Sequence, residues 1–139
     1  MIAYFDTSAL IPLVLEEPGS EIAGRLWDEA DHLVSVPLIY AEARAAIAQA
    51  ERTGRITGKQ LPGLVADIDS LYAQLDPMDV DDVLVRRAGD LAQEHGLRAY
   101  DAVHLAAAGQ LASPELVLVA GDGPLITAAI EIGLAVART

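Results

Sequence analysis

Residues 2–8 read IAYFDTS, and the order of those letters decides the fold class. Ile2 to Phe5 is a short apolar run with β-branched and aromatic members, as a buried strand requires. It stops at a carboxylate, Asp6. Two hydroxyl residues, Thr7 and Ser8, follow, and residues 9–15 then have helical composition. Ser8 is the expected cap of that helix, and Pro12 blurs its start. A strand that ends in an acid and turns straight into a helix is the opening of a βα unit. In open α/β sheets, sites form beyond the carboxyl ends of the strands, so Asp6 falls where chemistry is expected.

The rest of the chain repeats the alternation. A helix over 20–30, capped by Ser20 and facing inward with Ile22, Leu26 and Trp27, leads to a strand over 33–36. Pro37 suits a first helical turn. Ile39, Ala43, Ala46, Ile47 and Ala50 then recur at helical spacing as far as Arg52, and Gly54 stops the run. A helix over 61–75 and a minor strand over 76–78 come next. An acidic start at Asp79 and Asp82 opens a helix carrying Val83, Ala88, Leu91 and Ala92, which ends at His95-Gly96. An alanine-rich helix over 100–112, a strand over 116–119, a helix over 125–132 and a strand over 134–137 complete the pattern. Strands apolar on both faces, alternating with helices, predict a parallel sheet covered on two sides, an α/β/α sandwich. The length of 139 residues and the lack of any repeat or linker predict one domain over 1–139.

Bulk composition narrows the function classes. The chain is 53% hydrophobic but only 4% aromatic. It has no cysteine, which removes disulfides and thiolate metal ligands and fits a reducing cytoplasm. No run is long enough to span a bilayer and no signal segment is recognisable, so a cytoplasmic protein without membrane contact is expected. A net charge of −12 argues against broad attraction to nucleic acid, because phosphate contacts need Lys and Arg. Any nucleic-acid substrate must be held locally; Arg44, Arg52, Arg55 and Lys59 cluster around the third helix and its exit.

Four carboxylates are candidates for chemistry. Asp6 and Asp122 each lie just past a strand, on one rim of the sheet. Glu42 and Asp101 lie early in helices and can reach the same rim. Singly, each has a plain structural explanation: a turn, a helix start, a solvated face. Together they cannot all stay ionised without a counter-charge. Hard oxygen ligands suit Mg²⁺ or Mn²⁺. Two such ions about 3.5–4 Å apart activate a water and stabilise the leaving oxygen of a phosphodiester. Ser8 or Thr7 is placed to orient a carboxylate. His104 shares a helix face with Asp101, but its neighbours Val103, Leu105 and Ala106 favour a packed structural role.

FDTSAL (5–10), YAEARAAI (40–47), LRAYDAVHLAAA (97–108) and LVLVAGDGPLITAA (116–129) together resemble, in order, the four acidic motifs of PIN-domain proteins. The run LRAYDAVHLA is similar to that of VapC toxins from type II toxin–antitoxin modules. The resemblance implies a Mg²⁺-dependent endoribonuclease toxin that cuts single-stranded RNA by in-line attack of an activated water, leaving a 5′-phosphate and a 3′-hydroxyl. It implies a co-expressed VapB-like antitoxin and a homodimer. By motif match Asp6, Glu42, Asp101 and Asp122 are the metal-holding acids, with Ser8 the hydroxyl beside them. One departure is Ala120, where many relatives carry Thr or Ser.

Two other classes compete. A non-catalytic PIN-fold binding module would be favoured by loss of an acid, and all four are present. A phosphoacceptor receiver would need paired acids after the first strand and a lysine after a late strand; Asp6 stands alone and Lys59 is the only lysine. For the antitoxin, the acidic rim suggests an inserted Arg side chain. An apolar groove walled by Leu13, Val14, Trp27, Ile39 and Ile47 would take an amphipathic segment.

Overall fold

The computed structural model describes all 139 residues. Five parallel strands, β1 (Ile2–Phe5), β2 (His32–Ser35), β3 (Asp76–Pro77), β4 (Leu116–Ala120) and β5 (Ala135–Arg138), lie in the order β3-β2-β1-β4-β5. The helices are α1 (Thr7–Leu10), continued by a 3-10 turn over Ile11–Leu13, then α2 (Ser20–Glu29), α3 (Leu38–Arg52), α4 (Leu61–Tyr72), α5 (Asp82–His95), α6 (Ala99–Gln110) and α7 (Gly123–Glu131). The three-layer α/β/α arrangement is therefore as the alternation predicts. None of the helices is long and apolar enough to cross a membrane.

The pleat of β1 explains the layers. Tyr4 points to one face, where it packs with Leu84, Leu91, Leu105 and Leu125 from α5, α6 and α7. Ala3 and Phe5 point to the other, against Leu10, Trp27, Ile39, Ile47 and Ile68 from α1 to α4. The chain winds from β1 outward to β2 and β3, then returns past β1 to β4 and β5. The order thus reverses between β1 and β4, the position where open α/β sheets form a crevice.

Several local expectations are corrected by packing. Asp6, not Ser8, caps α1: its carboxylate accepts the Ser8 backbone N–H at 3.1 Å. Gly19 takes the cap position of α2, and the Ser20 hydroxyl instead accepts the Glu17 N–H. Ile22 and Val83 are exposed, because the faces of α2 and α5 turn Ala23, Trp27 and Leu84 inward. Trp27, Ile39 and Ile47 fill the core, with Trp27 edge-on to Phe5 at 4.9 Å, so they cannot wall an open groove. Gly96 ends α5 in the left-handed region (φ 65°), as the His95-Gly96 pattern requires.

Candidate active site

Asp6 leaves the carboxyl end of β1 and Asp122 follows that of β4, so the crevice between these neighbouring strands carries both acids. Asp101 enters from the first turn of α6 and Glu42 from α3. All four line one cleft of about 660 Å³, with Thr7, Ser8, Gln49, Arg52, Arg98 and Tyr100 around them. Asp6 and Asp101 are nearly enclosed, 3% and 6% exposed. Low dielectric strengthens every charge interaction there.

Each acid is held differently. Ser8 Oγ donates to Asp6 Oδ2 at 2.5 Å and accepts the Gly121 N–H at 2.8 Å. One hydroxyl therefore ties the end of β1 to the loop after β4. Glu42 Oε1 is 2.6 Å from His104 Nε2, which also lies 3.5 Å from Asp6 Oδ1. An ionised carboxylate only accepts, so Nε2 carries the proton of that bond. Behind it, His104 Nδ1 meets the Tyr4 hydroxyl at 2.8 Å. Asp101 Oδ2 accepts from Arg98 Nε at 3.0 Å. Asp122 caps α7, accepting the Leu125 N–H at 3.0 Å.

The electrostatics follow from crowding. Burial is the main cause that lifts the Asp101 carboxyl above its ordinary value; Arg98 opposes it, and the charges of Asp122 and Asp6 add to it. For His104 burial opposes the charged form, yet the Glu42 hydrogen bond and the charges of Asp6, Glu42 and Asp101 outweigh it, so its pKa is raised. No three of these side chains converge as a finished metal cage. The donor set still fits a hard divalent cation: oxygen ligands alone, and a surplus of negative charge that Arg98 and His104 offset only in part.

Residues 3–128 match the PIN domain family. The chain is a PIN-domain protein. It is 39% identical over 136 residues to Ribonuclease VapC45 of Mycobacterium tuberculosis (strain CDC 1551 / Oshkosh), covering 98% of this chain and 94% of the relative. Among solved structures, it is similar to Mycobacterium tuberculosis VapC20, a sarcin–ricin loop cleaving toxin, with a TM-score of 0.71 at 18% identity over 99% of each chain. It is similar as well to a toxin–antitoxin complex from Klebsiella pneumoniae, with a TM-score of 0.63 at 19% identity over 86% of each chain. The structural likenesses establish the fold of the PIN domain.

Within this PIN domain the structure gathers Asp6, Ser8, Glu42, Asp101 and Asp122 in one place. Ala120 is fully buried at the end of β4, and the hydroxyl beside Asp6 comes from Ser8. Of the basic cluster, Arg52 alone lines the cleft; Arg55 pairs with Glu17 and Arg44 with the Tyr40 hydroxyl. His104 is fully buried, as a packed histidine should be, but it also bridges two of the acids. Its spacing of three from Asp101 is the one signal of this in the sequence, and its apolar neighbours mask it. Arg98 and Tyr100 fall inside the LRAYDAVHLA run, close to Asp101, but sequence reasoning assigns neither a role at the site.

Proposed function

We propose that this PIN domain is a divalent-cation-dependent endoribonuclease, acting as the toxin of a toxin–antitoxin pair. The observation that carries the reading is the convergence of Asp6, Glu42, Asp101 and Asp122 on a single cleft at the reversal point of the sheet. The 39% identity to a ribonuclease, over 98% of this chain, supports RNA as substrate. Asp6 and Asp101, with Glu42 and Asp122 beside them, would hold Mg²⁺ or Mn²⁺. When bound, the ion supplies charge neutralisation at the phosphodiester and activation of water. The protein supplies a rigid frame: Ser8 fixes Asp6 and His104 fixes Glu42. Arg52 and Arg98 provide local positive charge on a chain whose net charge is −12. Hydrolysis then adds water across the phosphorus–oxygen bond, leaving a 3′-hydroxyl and a 5′-phosphate.

The partner in this reading is an antitoxin that neutralises the acidic cleft with a basic side chain. The likeness to a chain from a toxin–antitoxin complex is in keeping with this.

The test is cleavage of single-stranded RNA by purified protein, with Mg²⁺ and with chelator. Cleavage is expected only with the metal. Asp101→Asn should lower it by about 100-fold or more, since metal-assisted charge stabilisation is worth several kcal/mol. Metal-independent cleavage, or full activity in a folded Asp101→Asn variant, would defeat the reading.

A further inference from the structure

Arg98 sits in an awkward place. It immediately precedes α6, with extended backbone (φ −66°, ψ 155°), and its side chain caps nothing. A positive charge at a helix N-terminus opposes the helix dipole. Exposed ion pairs one turn apart contribute little stability. Yet its Nε donates to Asp101 Oδ2 at 3.0 Å, pairing a side chain that is 65% exposed with one that is 9% exposed. Its guanidinium carbon lies 5.1 Å from the centroid of the Tyr100 ring. Both residues line the acidic cleft, and Tyr100 is 42% exposed at its rim.

Only Nε engages Asp101, so the pair lacks the two-point grip by which a guanidinium holds a carboxylate firmly. The terminal nitrogens of this exposed side chain are left for another acceptor, and the Tyr100 ring gives the guanidinium a resting surface independent of Asp101. A divalent cation on Asp101 would place a stronger charge beside Arg98, and repulsion would displace the singly charged, exposed partner.

We infer that Arg98 is a displaceable counter-ion, neutralising Asp101 until a divalent cation takes that carboxylate, after which the released guanidinium grips a phosphate of the substrate strand. The identity of that strand as RNA rests on the nuclease reading above. Planar donors suit a phosphate, and Tyr100 keeps the group at the cleft rim when it lets go of the acid. Arg98 is thus a positioning residue with two roles that pull in opposite directions. Removing it should strengthen metal binding and weaken substrate binding.

That opposition is measurable. Titrate Mn²⁺ calorimetrically into RNA-free wild type, Arg98→Gln and Arg52→Gln. Arg52 is the control: it lines the same cleft and carries the same charge, but it hydrogen-bonds Gln49 rather than an acid. Arg98→Gln should tighten the Mn²⁺ Kd by about tenfold, the scale on which a contacting opposite charge biases a carboxylate. Arg52→Gln should change it by less than about threefold, as a screened, non-contacting charge does. At saturating Mn²⁺, Arg98→Gln should raise KM for single-stranded RNA several-fold with little change in kcat, and make RNA affinity less dependent on salt. Equal Mn²⁺ affinity in Arg98→Gln and wild type, or an equal gain in Arg52→Gln, overturns the counter-ion assignment. An unchanged KM overturns the phosphate grip. Both outcomes are read against an active wild type, so they are separate from failure of the nuclease reading, which shows as a wild type that cuts no RNA.

Discussion

His104 Nε2 stands 2.6 Å from Glu42 Oε1 and 3.5 Å from Asp6 Oδ1, so one buried imidazole joins an acid of α3 to the acid that ends β1. The ring is itself fixed from behind by the Tyr4 hydroxyl, and burial holds that phenol well above its ordinary pKa, so it stays protonated. The layer beneath the cleft is therefore a hydrogen-bonded chain from β1 through α6 to α3. Partners of this kind orient ligating groups, and their loss costs about 10–100-fold in affinity or activity.

His104→Leu should consequently reduce RNA cleavage by about 10–100-fold. It should also lower stability, since Glu42 would lose its donor in a part-buried site. His104→Gln retains an N–H donor and should recover part of the activity. Single-turnover cleavage, read beside thermal unfolding, separates the two effects. Wild-type rates in His104→Leu would show that Glu42 needs no support.

Stability without metal should fall as pH rises from mildly acidic to alkaline. The Asp101 carboxyl is raised above 3.8, chiefly by burial, so above that pH the folded chain keeps a proton the unfolded chain has released. Stability then declines as pH climbs through the folded value. His104 is raised above 6.5 against the cost of burial, through Glu42 and the charges of Asp6 and Asp101. Its contribution is complete below 6.5 and is lost as pH rises through the folded value. Both groups act with the same sign. The melting temperature with chelator present should be higher near about pH 6 than near about pH 8. His104→Gln should flatten the neutral part of the profile. A rise in stability over that range would contradict the assigned environments.

The sheet, its parallel sense and the rim that bears Asp6 and Asp122 are legible in the sequence because apolar strands and following acids are local patterns. That Glu42 and Asp101 can reach that rim follows from their places early in helices, and the four-motif resemblance joins them to one site; helix periodicity says nothing about which strand a helix will cross. Ile22 and Val83 depart from their expected burial because each sits one position from the residue that tertiary packing buries, Ala23 and Leu84. The roles of His104 and Arg98 depend on contacts that pattern does not encode. Glu42 is 62 residues away from His104, and Arg98 reaches Asp101 only because the extended backbone before α6 aims it there.

Ser8→Ala tests the tie between the two strand ends. Its hydroxyl satisfies both the Asp6 carboxylate and the Gly121 N–H, so the variant leaves a part-buried donor and a charged acceptor short of a partner. A loss of about 1–3 kcal/mol in stability is expected from chemical denaturation. Cleavage should fall as Asp6 loses its anchor. Ser8→Thr, which keeps the hydroxyl, should do less harm. If alanine leaves both stability and cleavage intact, the bridge carries no energy.

Metal addition ranks the acids. A cation that binds only the folded chain stabilises it by about 2.7 kcal/mol at 100 times its Kd. Mn²⁺ should therefore raise the melting temperature by several degrees, reversibly with chelator. Asp6→Asn should shrink that rise most, because Asp6 is buried beside the other acids at the reversal point of the sheet. Asp122→Asn should shrink it less, because the Asp122 carboxylate already serves the Leu125 N–H as the cap of α7. An asparagine there would keep the cap, so any lost shift reports metal rather than folding. Equal shifts in wild type and Asp6→Asn would place the cation elsewhere on the protein. A larger loss in Asp122→Asn would mean that this side chain leaves its cap to become a principal ligand.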